Sequence, residues 1–215
     1  SSVTTSEAYN NWGGKSLYPF NSTGPQATKV SFNRPFSDST GPAEFLLRWE
    51  YAMVRFLERE GYDVTYATNI DTHLRGDLLL RHHAFLSVGH DEYWSWEMRQ
   101  NVEAARDSGV SLGFFSGNVC YWQIRLESDS SGQPERVIVA YKESALSSDP
   151  VLQDGNPDND YLATTQWRLA PVNRPEEQVV GVMLSLSQVD ADIVVENASH
   201  WVFAGTGLKS GDHLS

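Results

Sequence analysis

The sequence predicts an α/β domain built on a mainly parallel sheet with helices on both faces. Three observations carry that prediction. Short apolar runs at 84–88 and 110–115 have the length and composition of buried strands. The segment 95–109 between them has helical spacing, which gives a strand–helix–strand alternation. A second helical pattern at 43–60 precedes them, followed by a β-rich stretch at 62–68.

Taken in order, residues 1–42 are rich in Ser, Thr, Asn, Gly and Pro and read as one long irregular segment. In Phe32-Asn33-Arg34-Pro35, proline disfavours helical backbone at Arg34, so an extended arginine paired with a buried carboxylate is expected. From Ala43 to Glu60, Phe45, Leu46, Trp49, Ala52, Met53, Phe56 and Leu57 recur on one helical face, and Gly61 stops the helix. Tyr62 to Thr68 reads as a strand. Asp71 is placed to cap a short helix running to Leu80. Ala84-Phe85-Leu86-Ser87-Val88 reads as a buried strand and leads into Gly89-His90-Asp91-Glu92-Tyr93-Trp94. Ser95 caps a helix of about four turns that closes at Gly109, with Met98, Val102 and Ala105 on its apolar face. Val110 to Phe115 is the next strand and ends in Ser116-Gly117-Asn118. Further strands are expected at 121–126, 137–141, 179–183 and 193–195, with polar loops at 128–135 and 145–160.

A chain of 215 residues is long enough for a sizeable core, and it reads as a single domain spanning 1–215. Its polar first and last residues read as those of a segment of a longer protein. Hydrophobic residues make up 40% and charged residues 20%, which excludes a disordered chain. No run approaches the roughly 18 apolar residues of a membrane helix. The net charge of −12 argues against a nucleic-acid backbone or an anionic membrane as partner. The one cysteine, Cys120, excludes an internal disulfide framework and reads as a small buried hydrophobe, leaving the compartment open. The two sequons, at Asn21 and Asn197, are short enough to arise by chance.

Sites in open α/β sheets form beyond the carboxyl ends of strands. Two segments fall there. Gly89-His90-Asp91-Glu92 places three titratable groups in a row after a strand. A helix cap needs only one carboxylate, and that plainer role is assigned to Asp91; His90 with Glu92 is read as a site. The second segment is Phe115-Ser116-Gly117-Asn118, followed by Cys120. It lacks the G-x-S-x-G pattern, and a Ser116–His90–Asp91 triad is awkward because the histidine and aspartate are adjacent. Gly13-Gly14-Lys15-Ser16 lacks the rest of a phosphate loop. His73, His82, His83 and His213 read as isolated or surface residues, and His200 as a structural histidine. On these residues alone, hydrolase, metal enzyme and binding module all stay open.

Several longer motifs together resemble one family. They are Ala8-Tyr9-Asn10-Asn11-Trp12-Gly13-Gly14-Lys15-Ser16-Leu17-Tyr18, Phe32-Asn33-Arg34-Pro35, Val88-Gly89-His90-Asp91-Glu92-Tyr93-Trp94-Ser95, Phe114-Phe115-Ser116-Gly117-Asn118 and Val195-Glu196-Asn197-Ala198-Ser199-His200-Trp201-Val202-Phe203. In this order they resemble the catalytic-domain family of the N,N-dimethylformamidase large (beta) subunit. The resemblance implies a flavodoxin-like sheet similar to class I glutamine amidotransferase domains. It implies hydrolysis of a small amide, at a C–N bond other than a peptide's, by one non-haem iron (Fe3+) held by two tyrosines and a glutamate. Carried over motif by motif, the metal ligands are Tyr9, Tyr18 and Glu92. His90 beside them is the candidate base, and His90 and Glu92 are the catalytic pair. Tyr9 and Tyr18 stand closer together than the two tyrosines of the formamidases proper, which places the substrate pocket, and so the substrate, outside the resemblance. Further domains of the same chain or a second copy are compatible partners.

The competing expectation is a non-catalytic domain of a secreted or surface protein that binds a carbohydrate or peptide at an aromatic cleft. Trp12, Trp94 and Trp122 would be its stacking platforms. A metal-free hydrolase using Ser116 or Cys120 ranks last.

Overall fold

The computed structural model describes residues 16–19, 25–33, 49–184 and 190–214. Tyr9, Trp12, the glycines at 13 and 14, the sequon at Asn21, Arg34 and the first part of the predicted 43–60 helix lie outside these residues. The chain forms two compact units, Ser1–Met183 and Leu184–Ser215.

In the first unit the fold is mixed α/β. Strand β1 (Lys29–Ser31) lies inside what the sequence reads as an irregular segment. Helix α1 (Tyr51–Arg59) follows the predicted helical pattern and ends before Gly61, whose φ is 73°. None of its residues is buried, so the apolar face read from the sequence is not a core face over Tyr51–Arg59. Residues 62–68 form no strand. Helix α2 (Asn69–Leu74) is capped by Thr68, not by Asp71. The Thr68 side chain accepts from the Asp71 amide while the Asp71 carboxylate accepts from the Thr68 amide at 2.9 Å, a reciprocal pairing of two otherwise orphan donors.

Strand β2 (Ala84–His90) and strand β4 (Ser111–Gly117) pair in parallel, in register from Ala84 opposite Ser111 to His90 opposite Gly117. Between them lie β3 (Tyr93–Ser95) and helix α3 (Trp96–Asp107). The Ser95 hydroxyl accepts from the Met98 amide at 3.1 Å, so the helix starts where the sequence places it. Strands β5 (Trp122–Glu127) and β6 (Val137–Val139) form an antiparallel hairpin around the polar 128–135 loop. The larger sheet runs β1-β6-β5-β3, with only β3 and β5 parallel. Among the described residues the sheets are therefore mixed, not mainly parallel. The cause lies in the connections: a short hairpin loop such as 128–135 can only join antiparallel strands, whereas the helix α3 lets β2 and β4 run the same way. The valine-rich 179–183 stretch is a helical turn, Glu177–Val180, ended by Gly181 in the left-handed region. Short apolar runs do not separate helix from strand by periodicity.

Two apolar cores flank β3. Trp94 packs with Met98, Val102, Ala105, Val119, Cys120 and Trp167. Its neighbour Tyr93 packs on the other side with Leu17, Val30, Trp122, Ile124 and Ile138. Successive strand residues point to opposite faces, so three residues bind the two cores together.

The second unit holds a small antiparallel pair, β7 (Ile193–Val194) with β8 (His213–Leu214), extended by hydrogen bonds between Val195 and both Asp212 and Gly211. His200 caps the Trp201–Phe203 turn through Nδ1, which accepts from the Val202 amide at 3.3 Å.

Candidate functional site

The site is built where β2 runs out. Gly89 has φ of 91°, a conformation that favours glycine. A Cβ at this position would lie 3.0 Å from Glu50 Cγ and 3.4 Å from Trp49 Cβ, so the Glu50 side chain would also have to shift slightly. His90 follows, opposite Gly117, where a Cβ would be in ordinary contact with the imidazole at 3.4 Å from Cδ2.

Glu92 is buried, and its backbone carbonyl accepts from the Tyr121 and Trp122 amides at 3.1 and 2.9 Å. Its side chain is met by Tyr18, whose hydroxyl donates to Oε2 at 2.9 Å. His90 Nδ1 lies 3.7 Å from the same oxygen, an ion-pair distance when the imidazole is protonated but too long for a hydrogen bond. Tyr18 is held by its neighbours. Its amide donates to Ser16 Oγ at 3.0 Å, its ring meets Tyr93 edge-on at 6.5 Å, and the Leu17 carbonyl accepts from Gln26 at 2.7 Å. Thus three of the four sequence-predicted site residues, Tyr18, His90 and Glu92, converge from two distant parts of the chain. Tyr9 lies outside the described residues.

A fifth residue, absent from the sequence reading, completes the arrangement. Lys142 is buried with φ of 57°. Its Nζ donates to the Leu17 carbonyl at 3.1 Å and to Tyr93 Oη at 3.2 Å. The ammonium stands 4.3 Å from the Tyr18 ring centre and 5.0 Å from that of Trp122. Burial pushes its pKa below the ordinary lysine value, and the Glu92 carboxylate opposes that shift. The sequence signal was slight: one lysine closing the apolar run Val137-Ile138-Val139-Ala140-Tyr141.

Other expectations are corrected. Asp91 does not cap the helix, since Ser95 does. Its carboxylate accepts from Asn69 Nδ2 at 2.7 Å and from Ser87 Oγ at 2.9 Å. Among the described residues the buried Ser116 hydroxyl has no hydrogen-bond partner, and with Asp91 bound to Asn69 and Ser87 no Ser116–His90–Asp91 triad is seen. Cys120 is buried, and burial pushes its thiol far up, as expected of an inert packing residue. His73 is not isolated: its Nδ1 lies 2.7 Å from Ser95 Oγ. Trp94 and Trp122 are buried core residues and present no stacking platform.

Chemically, a phenol and a carboxylate meeting at hydrogen-bond distance form a pair of hard oxygen donors, the kind that suits Fe(III). Among the described residues no three His, Cys, Asp or Glu side chains gather as a metal cluster. A tyrosine–glutamate donor set is of a different kind and fits the implied iron in donor chemistry. No helix of the described residues is long and apolar enough to cross a membrane.

The family model described as N,N-dimethylformamidase beta subunit-like, C-terminal, matches residues 1–215, the whole chain. The chain belongs to that family.

Proposed function

We propose that this member of the dimethylformamidase beta subunit-like family hydrolyses the C–N bond of a small amide at an iron site that includes Tyr18 and Glu92. Tyr9 is the proposed third ligand, on the family resemblance. The observation that carries the reading is the 2.9 Å contact between Tyr18 Oη and Glu92 Oε2, residues 74 positions apart, with His90 3.7 Å away. A plain structural tyrosine–glutamate pair would need neither the histidine nor a buried lysine behind the phenol ring.

Bound Fe3+ supplies Lewis acidity, which polarises an amide carbonyl and makes a water more acidic. The chain's own groups do the rest. Lys142 places positive charge against the Tyr18 ring, 4.3 Å from its centre. Glu92 offers its carboxyl oxygens in a buried setting, on a backbone held by the bonds to its carbonyl. His90 is the group able to take a proton from the attacking water and return it to the leaving amine. In balance, water's oxygen bonds to the acyl carbon, the C–N bond breaks, and the amine departs with the proton. The flavodoxin-like, glutamine amidotransferase-like architecture belongs to the same proposal; the parallel β2–α3–β4 unit supports it, with the site at the carboxyl end of β2. The carbohydrate- or peptide-binding alternative finds no support in Trp94 and Trp122, which are buried.

The test is reconstitution of the purified chain with iron, followed by amine release from a panel of small formamides and acetamides. Release that depends on iron and is lost in His90→Ala supports the reading. A chain that retains iron but releases no amine from any of them removes the hydrolase.

A further inference from the structure

Asp91 stands between the two site residues His90 and Glu92, yet its side chain makes its bonds away from both. One carboxylate oxygen accepts from Asn69 Nδ2 at the start of α2, at 2.7 Å, and the other from Ser87 Oγ on β2, at 2.9 Å. Its backbone is fixed as well. The Asp91 amide donates to the Gly117 carbonyl at 3.3 Å and its carbonyl accepts from the Cys120 amide at 3.0 Å. The loop therefore hangs from four bonds contributed by three elements: α2, β2 and the end of β4 with its following turn. Ser87 is buried, so one anchor of the carboxylate lies within the fold.

We propose that the Asn69–Asp91–Ser87 clamp is the positioning device of the site: by anchoring Asp91, it turns the flanking His90 and Glu92 side chains toward Tyr18. A helix-capping role does not account for these bonds, because Ser95 already fills the cap. The orientation follows from backbone geometry. Asp91 links His90, the last residue of β2, to Glu92, which leads into β3, so anchoring its side chain and backbone restricts the chain that carries both neighbours. None of the three clamp residues is a proposed ligand. The inference rests on the iron-site reading for its functional consequence, but the clamp can be tested without iron.

Three variants make the test: Asp91→Ala, Asp91→Asn and Asn69→Ala. Asparagine keeps an acceptor for Asn69 and a group that Ser87 can bond, so it should restore what alanine loses. The first readout is amide hydrogen exchange at Cys120, Tyr121 and Trp122, whose amides bond the Asp91 and Glu92 carbonyls. The second is iron affinity with the visible tyrosinate band. In folded Asp91→Ala, exchange at these amides rises at least about tenfold and iron affinity falls about 10–100-fold, the range typical of lost outer-shell partners. Asp91→Asn stays close to the wild type. Should Asp91→Ala not fold, Asn69→Ala decides, with a smaller change of the same sign in both readouts. Wild-type exchange and wild-type iron affinity in a folded Asp91→Ala or Asn69→Ala overturn the proposal. If the wild type binds no iron, the iron-site reading fails by itself, and the exchange data still decide the clamp: unchanged protection overturns it and lost protection supports it.

Discussion

Lys142→Met removes one charge from the buried side of the site and keeps the length of the chain. Tyr93 Oη loses the lysine as a donor, while the Leu17 carbonyl loses one of two donors and keeps Gln26. A buried polar group left without its partner costs about 1–3 kcal/mol. The cation also leaves the faces of Tyr18, Trp122 and Tyr93, worth about 2 kcal/mol when desolvated. The gross loss is thus about 3–5 kcal/mol. Against it stands the cost of burying an ammonium, several kcal/mol, which methionine does not bear. The expected net destabilisation is about 1–3 kcal/mol, seen as a lower urea midpoint with an unchanged slope. The pH dependence separates this account from simple loss of packing. The folded-state pKa of Lys142 lies below the ordinary value of 10.5. Between the two values the unfolded chain carries a proton that the native chain lacks, so native stability rises with pH there. Below the folded value both states are protonated and the burial cost is present in full. The gap in stability between wild type and Lys142→Met should therefore widen as pH rises above the folded value toward 10.5. Equal midpoints, or a gap that stays flat over that range, would refute the reasoning.

Two further outcomes follow from the packing. The Asp149 carboxylate pairs with Arg125 through two bonds and accepts from the Thr164 amide and hydroxyl. Burial pushes its pKa up, but those bonds outweigh burial and hold it below the ordinary range, so its stabilisation is present above the unfolded value and fades as pH falls through the folded one. Asp149→Ala should cost about 3–5 kcal/mol near neutrality and flatten the acid limb of the stability profile, as read by urea titration at several pH values. Cys120, buried with its thiol pushed far up, should resist iodoacetamide in the folded protein and react at once in urea, as followed by mass spectrometry; fast labelling of the native chain would contradict its assignment to the core.

What the sequence disclosed about the fold was what depends on neighbours in the chain. The β2–α3–β4 unit was readable because its strands are apolar runs, Ser95 is a capping residue and Gly109 a natural stop. The helix cap at Thr68 was legible too, as a threonine three residues before an aspartate, but Asp71 was read in its place. The order of strands in the larger sheet was not readable, because β1 pairs with β6 from a hundred residues away. The same division holds at the site. His90 and Glu92 share one loop and declared themselves. Lys142 did not, since a lone lysine after a strand is ordinarily a surface residue. Its burial depends on Leu17, Tyr18, Tyr93 and Trp122, which no local pattern brings together. Asp91 shows the reverse case: the residue was visible, but its role depends on Asn69 and Ser87 and not on the helix that follows.

The most direct test of the iron site is the visible spectrum and iron content of the reconstituted chain, compared across wild type, Tyr18→Phe and Glu92→Gln. Phenolate bound to Fe(III) absorbs in the visible, so the wild type should be coloured and hold about one iron per chain. Tyr18→Phe should weaken or shift the band, and Glu92→Gln should lose both the band and the iron. A wild-type chain that stays colourless without retaining iron, or a band and iron content unchanged in both variants, would contradict the account.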